Sequence, residues 1–475
     1  MAKLNVVLIS TYELGRQPFG LASPAAWLRE AGASVTCFDL AVEHLEEEAI
    51  AVADMVGFYV PMHTATRIAV SFVHRVKEIN PRAHLCFYGL YAPVNEGFLR
   101  EIGADTILGG EFEEGLIKLA ERLSSGVPSL IHQPDPVVSL ARQQFLVPDR
   151  NGLPELPRYA HLILADGRSR VVGNTEASRG CKNLCRHCPI VPVYGGRFFI
   201  VQPEVVLADI EQQVAAGAHH ITFGDPDFFN GPTHAMRVVE ELHRKFPGLT
   251  YDVTIKVEHL LKHAAHLPRL RDTGCLFITS AVEAVDNDIL EIFDKRHTRE
   301  DFIRVVSLFR ETGIYLNPTF VTFSPWISLS GYMDLLKLIR ELDLVGSVSP
   351  IQYAIRLLIP AGSRLLELPA VQDLVGEFDP AAMIYPWAHP DPRVDRLHAA
   401  VLKVVSDDQV DQEDRASVFA EVWALTEEAC SIPDNQRAEP VSAGRLHLES
   451  IPHLSEPWYC CAEPTELQMA PRDHV

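Results

Sequence analysis

Short apolar runs alternate with amphipathic stretches along the first quarter of the chain. The runs have the length and the Val/Ile content of strands that are buried on both faces. They cover residues 5–9, 34–38, 55–60, 84–88 and 106–108. Between them, the apolar spacing predicts helices at 24–32, at 66–78 and from residue 113 onward. This alternation predicts a doubly wound α/β domain over residues 1–130, with a ligand site at the carboxyl ends of its strands.

The same alternation returns after a proline-rich stretch at residues 131–170, which we interpret as a connector along the surface. A helix is predicted over 203–216, and strands at 220–223, 251–255, 275–279, 315–321 and 352–357. This order predicts a partial (β/α)6-type parallel barrel over residues 171–365, whose active site lies at the carboxyl ends of the strands. Helical spacing at 393–430 and prolines after 431 predict a helical C-terminal region with an extended tail over 366–475.

Composition and charge exclude several function classes. The formal charge of −21, from 42 basic and 63 acidic residues, disfavours a nucleic-acid partner, which needs a phosphate-neutralising surface. The longest apolar stretch, 49–62, is broken by Asp54 and Pro61, so no membrane span is expected. Nine cysteines without a secretion-signal pattern are typical of reduced thiols and metal ligands, so we expect a cytoplasmic location.

Three cysteines within eight residues, Cys181, Cys185 and Cys188, carry the most specific chemistry in the chain. Their spacing also fits one face of a buried helix, but Gly180 and Pro189 flank them and both residues interrupt helices. A structural zinc site usually takes four ligands, and no second cysteine pair lies nearby. Soft thiolates at this spacing favour an iron–sulfur cluster with one iron left open.

With His187 before the last cysteine, this segment resembles the CxxxCxxC signature of radical S-adenosylmethionine enzymes. The resemblance implies that the three cysteines hold a 4Fe–4S cluster and that S-adenosylmethionine chelates its open iron. It further implies that an electron from the cluster breaks a carbon–sulfur bond of the cofactor. His187 would then belong to the cofactor-binding residues.

The segment Phe-Gly-Asp-Pro at 223–226 resembles the Gly-Gly-Glu-Pro motif of that family. The resemblance implies that Gly224 shapes the site and that Asp225 accepts hydrogen bonds from the amino group of the cofactor. Asp227 is a second candidate for the same role. The alternative is an ordinary Asp-Pro turn.

Three further positions resemble cofactor contacts of the family. Val-Glu-Ala at 282–284 resembles its Glu-Ser segment, so Glu283 or Ser280 would contact the ribose hydroxyls. Lys295 lies where related enzymes place a basic residue for the cofactor carboxylate. Residues 360–363 resemble a late turn near the adenine. The charged positions fit equally well on the surface of a helix.

The N-terminal domain resembles the cobalamin-binding domain that precedes many radical S-adenosylmethionine enzymes. The matching segments are 19–21, 60–64, 88–92 and 109–115. Cobalamin is therefore a possible cofactor. Two departures leave the alternative of a retained domain without cofactor: the chain lacks an Asp-x-His-x-x-Gly sequence, and Tyr88-Gly89 replaces the usual Gly-Gly pair.

The tail sequence Cys-Cys-Ala-Glu-Pro at 460–464 resembles a radical S-adenosylmethionine group in which some members carry selenocysteine at the second position. The resemblance implies that Cys461 is reactive and that Cys460 is its partner. The pair would be a soft ligand, a hydrogen-atom donor or a redox pair. Cys430 is a possible third ligand, and incidental cysteines in a disordered end are the alternative.

Together these features predict a radical S-adenosylmethionine enzyme that modifies a small molecule and takes electrons from a reductant such as ferredoxin or flavodoxin. Alternatives within the class are a cobalamin-dependent methyltransferase and an enzyme that alkylates a metalloid such as arsenic. An alternative from another class is a noncatalytic iron–sulfur protein.

Overall fold

The computed structural model describes residues 3–125, 137–406, 415–431, 451–456, 463–464 and 469. Two α/β units, each built on its own sheet, make up most of these residues. Where the chain is described, it contains no helix that combines the length and the apolar character required to cross a bilayer.

The N-terminal sheet is parallel and follows the order β2-β1-β3-β4-β5-β6. Its strands are β1 (Asn5–Ser10), β2 (Ser34–Asp39), β3 (Met55–Tyr59), β4 (His84–Tyr88), β5 (Thr106–Gly110) and β6 (Val138–Ser139). The order reverses at β1, which makes the sheet doubly wound and confirms the predicted fold. Because apolar side chains pack on both faces of the sheet, its strands read as continuous apolar runs.

Helices cover both faces of this sheet. They are α1 (Phe19–Glu30), α2 (Glu47–Ala51), α3 (His63–Ile79), α4 (Tyr91–Val94), α5 (Glu96–Glu101) and α6 (Glu113–Ser125). In α3 the buried positions Thr66, Ala69, Val73 and Val76 recur at helical spacing, which is the amphipathic pattern that the sequence predicts.

The second sheet follows the order β14-β13-β12-β11-β8-β7-β15. Its strands are β7 (His161–Ile163), β8 (Ser169–Thr175), β11 (His220–Phe223), β12 (Thr250–Thr254), β13 (Cys275–Glu283), β14 (Tyr315–Phe320) and β15 (His453–Leu454), and β9 (Ser178–Gly180) pairs separately with β10 (Phe198–Ile200). The strands β8, β11, β12, β13 and β14 are parallel and form the predicted partial barrel.

Helices surround this barrel and form the C-terminal layer. They are α7 (Val191–Tyr194), α8 (Pro203–Ala215), α9 (Pro232–Lys245), α10 (Val257–Lys262), α11 (Leu267–Asp272), α12 (Asn287–Ile292), α13 (Arg299–Thr312), α14 (Leu329–Glu341), α15 (Pro369–Gln372), α16 (Pro392–Val405) and α17 (Arg415–Ala429). Short 3-10 helices lie at Leu156–Arg158, Phe228–Asn230, Ala264–His266, Val345–Ser347, Pro350–Tyr353 and Arg364–Glu367.

The predicted strand at 352–357 is wrong. The chain forms the 3-10 helix Pro350–Tyr353 there, and a single parallel bridge between Phe323 and Arg356 follows it. The Gln352 side chain accepts the backbone N–H of Phe320 at 2.9 Å, so a side chain satisfies the donor that a sixth strand would have paired.

The edge of the barrel sheet is closed by a strand from the far end of the chain. β7 runs antiparallel to β8, and β15 pairs antiparallel with β7 in the register His453 to Ile163. The stretch that the sequence predicts as a connector therefore ends in a strand of the barrel sheet.

Arg150 fixes the two units against each other. Its guanidinium donates to both carboxylate oxygens of Asp209, at 2.7 and 2.9 Å, and to the backbone oxygen of Asn174 at 2.5 Å in the barrel. It also donates to Gln17 Oε1 at 2.7 Å in the N-terminal unit. This contact helps to hold the two units together beside the carboxyl ends of β1 and β8, where Gln17 and Asn174 lie.

Candidate active site

A cavity of about 300 Å³ lies between the N-terminal sheet and the barrel. This volume is at the lower end of the roughly 300–1,000 Å³ range of small-molecule sites. Its wall includes Glu13, Tyr59, His63 and Phe112 from the N-terminal unit, and Cys181, Cys185, Cys188, Asp227, Glu283 and Lys295 from the barrel. This cavity thus lies at the position predicted for the active site, the carboxyl ends of the strands.

The cysteine loop follows β9 directly, and its three cysteines line this one cavity. Gly180 has a φ of +72°, and a Cβ there would lie 2.4 Å from the Tyr194 ring, so only glycine fits before the first cysteine.

The outer side of the cysteine loop is tied to neighbouring elements. The backbone N–H of Arg186 donates to Phe293 O at 2.9 Å, and Arg364 Nη1 donates to Leu184 O at 3.0 Å. The hydroxyl of Ser363 donates to Arg186 O at 3.3 Å. The turn at 360–363 therefore supports the cysteine loop from outside the cavity.

The loop presents three thiol donors to one cavity, which is the donor set that an iron–sulfur cluster takes. Burial, followed by the charge of Asp227, raises the pKa of Cys181, and metal ligation favours the thiolate instead.

The structure separates the two candidate aspartates. Asp227 lines the cavity, where Asn183 Nδ2 donates to its Oδ2 at 3.3 Å and His259 Nδ1 lies 2.6 Å from the same oxygen. Asp225 is 1% exposed and is not part of the cavity wall. Its carboxylate accepts from the Ala177 N–H at 2.9 Å and from the Ser178 hydroxyl at 2.6 Å, so it braces the segment that leads into the cysteine loop.

Glu283, His187 and Lys295 form a buried triad on the cavity wall. Glu283 Oε1 lies 3.1 Å from His187 Nε2 and 3.2 Å from Lys295 Nζ. Burial opposes the charge on Glu283, but the Lys295 ammonium and the His187 imidazole lower its pKa to about 2. Burial lowers the pKa of His187, so this histidine is neutral and donates its Nε2 hydrogen to Glu283.

Ser280 lies on the opposite face of the strand that ends at Glu283. Thr279, Ala281 and Glu283 line the cavity, whereas Ser280 is fully buried away from it. Side chains alternate along a strand, so Ser280, between Thr279 and Ala281, faces the other side of β13. Glu283 has a φ of +69° and follows a register shift, so this alternation does not extend to it.

Sequence reasoning missed two polar groups on this wall. Lys256 lies two residues after the end of β12, and its Nζ donates to Glu258 Oε2 at 3.1 Å and to Asn183 Oδ1 at 3.4 Å. Asn183 in turn donates to Cys181 Sγ at 3.5 Å. The position of Lys256 after a parallel strand is a signal that could have identified it, since such residues reach the active-site face.

A buried ionic cluster, the Arg179 cluster, joins the two units next to the cysteine loop. Arg179 Nη1 lies 2.7 Å from Glu113 Oε1 and 3.4 Å from Glu111 Oε2, and its Nε lies 2.8 Å from Glu176 Oε2. Burial raises the pKa of Glu111 to about 7 despite the opposing effect of Arg179. One cation thus faces three carboxylates, and sequence reasoning did not find any of them.

Aromatic side chains fill the carboxyl edge of the N-terminal sheet. The Tyr88 ring lies 5.1 Å from the Phe112 ring and 5.5 Å from the Tyr59 ring, and the Tyr88 hydroxyl donates to Gly20 O at 2.9 Å. A Cβ at Gly20 would lie 2.1 Å from the Tyr59 ring, so α1 packs directly on these rings. These rings therefore pack between α1 and the carboxyl edge of the sheet, while Met62, Leu90 and Tyr91 of that edge line the cavity.

The tail cysteines Cys460 and Cys461 lie outside the described residues. The described residues on either side of them contact the two units. Tyr12 donates its hydroxyl to Glu456 Oε1 at 2.7 Å, and Glu463 Oε1 lies 3.6 Å from Arg356 Nε. Cys430 follows α17 and its Sγ contacts Leu329 O at 3.6 Å, so it does not line the cavity.

Residues 175–325 match the family model of the radical SAM superfamily. The chain is 24% identical over 325 residues to the hopanoid C-3 methylase of Methylococcus capsulatus, which covers 65% of this chain and 62% of that protein. It is 23% identical over 249 residues to a tRNA-2-methylthio-N(6)-dimethylallyladenosine synthase of Desulfosudis oleivorans, which covers 50% and 52%. The chain thus spans between half and two thirds of the length of these relatives.

A solved structure of the radical S-adenosylmethionine methyltransferase TsrM from Kitasatospora setae, with cobalamin and a [4Fe–4S] cluster bound, has a similar fold. The TM-score is 0.65 at 14% identity, and the match covers 90% of this chain and all of that one. The likeness covers the N-terminal unit as well as the barrel, and it confirms the predicted order of these two units along the chain.

Proposed function

We propose that this chain, whose residues 175–325 form a radical SAM domain, is an enzyme that cleaves S-adenosylmethionine reductively and modifies a small molecule. One observation carries the proposal. The three cysteines of a single loop line the same cavity as Asp227, and the cavity lies at the carboxyl ends of the barrel strands.

Cys181, Cys185 and Cys188 would hold a 4Fe–4S cluster with one open iron. When bound, the cluster supplies one electron that breaks a carbon–sulfur bond of the cofactor and leaves a carbon-centred radical. The loop geometry required for this is supplied by the chain itself, through Gly180 and the outer contacts of Arg186.

The polar groups of the wall would orient the cofactor. Asp227 is the carboxylate that faces the cavity, so it is the better placed acceptor for the cofactor amino group, and Asp225 fixes the backbone behind it. Lys295 presents a buried ammonium group suited to a carboxylate, and Glu283 would accept from the ribose hydroxyls. His187 holds Glu283 in place.

The apolar part of the wall would keep water from the reacting atoms. Phe19, Tyr59 and Phe112 line the cavity on the N-terminal side, so a closed site protects a reactive radical from solvent. A reductant would deliver the electron, as the superfamily requires.

Cys460 and Cys461 would act at this cavity as soft ligands or reactive thiols. Support comes from their described chain neighbours, because Glu456 contacts a residue beside the cavity wall and Glu463 contacts the barrel.

Methyl transfer with cobalamin is a second candidate. The fold likeness to TsrM supports it, and the rings of Tyr59, Tyr88 and Phe112 oppose it. The rings pack where a group inserted between α1 and the sheet would lie, while Met62, His63 and Leu90 of the same edge line the cavity.

The decisive assay starts from anaerobically reconstituted full-length protein. The protein is reduced with dithionite in the presence of S-adenosylmethionine, and the released nucleoside is identified by mass spectrometry. 5′-Deoxyadenosine supports hydrogen abstraction, methylthioadenosine supports transfer of the aminocarboxypropyl part, and S-adenosylhomocysteine supports methyl transfer. A well-formed cluster that releases none of these would refute the enzyme function.

A further inference from the structure

Carboxylates gather where the two units meet at the cavity. Glu13 follows β1 in the N-terminal unit, Glu176 follows β8 in the barrel, and both side chains line the cavity. Burial, followed by the charge of Glu176, raises the pKa of Glu13. Asp39 adds a third negative charge nearby, and Arg16 and Arg150 are the positive groups that face Glu13.

The arginines of this region are outnumbered by the carboxyl groups that they contact or face. Arg150 forms two hydrogen bonds to Asp209. Arg179 contacts Glu176 of the cavity wall at 2.8 Å as well as Glu113 and Glu111, at 2.7 and 3.4 Å. With Arg16 facing Glu13, three arginines stand against six carboxyl groups, so the formal charge of this region is negative.

Two buried atoms of the same wall point to a ligand. Glu13 Oε2 is buried and has no hydrogen-bond partner among the described residues. His63 is 3% exposed, and its Nε2 lies 2.8 Å from Ala382 O, so Nε2 carries the hydrogen and Nδ1 is an acceptor. Within the described chain, Nδ1 also has no hydrogen-bond partner. An unmet buried acceptor is unfavourable, and a bound donor would offset its cost.

Apolar side chains of the N-terminal unit line the same cavity, namely Leu14, Phe19, Tyr59, Met62 and Phe112. A ligand that fits this wall thus combines a cationic donor with an apolar body, and an anionic ligand would meet repulsion from two carboxylates.

We propose that the substrate of this enzyme carries a primary ammonium group, which binds between Glu13 and Glu176, and a second donor that reaches His63 Nδ1. The inference rests on the proposed function, since it names the substrate class of that cavity. The ammonium group would contact one carboxylate from each unit, so substrate binding would bridge the N-terminal unit and the barrel. Its charge would also offset the excess of negative charge on this wall.

The test compares two probes of the same shape on the reconstituted full chain. 2-Phenylethylamine is an ammonium ion at neutral pH, and 2-phenylethanol is its neutral counterpart. Isothermal titration calorimetry of the wild type should show at least a tenfold preference for the amine, which corresponds to about 1.4 kcal/mol. Glu13→Gln should remove this preference, whereas Glu30→Gln, which changes an exposed glutamate at the end of α1, should retain it.

Three results would overturn the inference: equal binding of the two probes, binding of neither, or an unchanged preference in Glu13→Gln. If Glu13→Gln does not fold, as judged by circular dichroism, Glu176→Gln takes its place in the comparison. Release of a nucleoside from S-adenosylmethionine by the wild type without probes tests the proposed function separately. A protein that cleaves the cofactor but does not distinguish the probes would disprove only the ammonium site.

Discussion

Replacement of Arg179 by methionine tests the electrostatic argument for the Arg179 cluster. The side chain is 6% exposed, and its guanidinium contacts Glu113 at 2.7 Å and Glu176 at 2.8 Å. Its central carbon also lies 4.8 Å from the centre of the Phe145 ring. Methionine fills much of the same volume and keeps contact with the ring, so the change removes mainly charge and hydrogen bonds.

The expected cost follows from the burial of the partners. Removal of one member of a buried ion pair typically costs about 3–5 kcal/mol, because the other charge stays buried without compensation. Arg237 and Glu241 provide the matched control, since they form an exposed pair with side chains that are 62% and 28% exposed. Arg237→Met should cost roughly 0–1 kcal/mol.

The cost should also depend on pH. Burial raises the pKa of Glu111 to about 7, whereas an unfolded glutamate titrates near ~4.3. The folded protein thus binds more protons than the unfolded chain between these values, and the associated stability is lost as the pH rises through about 7. Without Arg179 the pKa of Glu111 rises further, so Arg179→Met should cost more at pH 8 than at pH 5.5.

Urea denaturation of the cluster-free protein, followed by circular dichroism at both pH values, measures these differences. A second change, Glu113→Gln, should recover part of the loss in the Arg179→Met background, because it removes one uncompensated charge. The reasoning fails if Arg179→Met costs no more than Arg237→Met, or if its cost grows as the pH falls.

Three further predictions concern the cavity. Cys185→Ala should lose most of the reconstituted iron and sulfide. Cys275→Ala, at a buried strand position outside the cavity, should retain both. Equal iron in the two variants would contradict the cluster assignment. Asp227→Asn should weaken the binding of S-adenosylmethionine by about tenfold, since it removes a charge-assisted hydrogen bond. Asp225→Asn should mainly lower the midpoint temperature of thermal unfolding. If Asp225→Asn instead weakens the binding of S-adenosylmethionine and Asp227→Asn does not, Asp225 would be the cofactor contact. Reconstitution with hydroxocobalamin followed by gel filtration should leave no stoichiometric corrinoid on the protein, because Tyr88 packs at the sheet edge. An absorbance spectrum that shows one corrinoid per protein chain would prove this interpretation wrong.

Local patterns predicted most of the fold. Strands β1 to β5 lie within one or two residues of their predicted bounds, since burial on both faces produces apolar runs that a sequence shows directly, whereas the two-residue strand β6 was not predicted. The stretch at 352–357 has a similar composition but follows Pro350, and the Gln352 side chain takes the backbone contact of a strand. Such a competition between a side chain and the backbone is decided by tertiary contacts.

The site was predictable only in part. The cysteine loop was found because its three cysteines lie within eight residues, and the likeness of the segment around Glu283 to a family segment directed attention to β13. The register shift between Ala281 and Glu283 arises in the pairing of β13 with β14, so no local pattern could choose between Ser280 and Glu283. Similarly, Glu13, Glu176 and Arg179 meet only when the two units dock, so no local pattern indicates their contact.

The pairing of β15 with β7 has a consequence for synthesis of the chain. A ribosome must extend the nascent polypeptide past Leu454 before the outer strand of the barrel sheet can be covered. Until then, the exposed backbone groups of β7 are a template for intermolecular pairing. Chains released early, before residue 451, would retain that open edge and should depend on chaperones or aggregate, even though they contain every cysteine of the loop at 181–188.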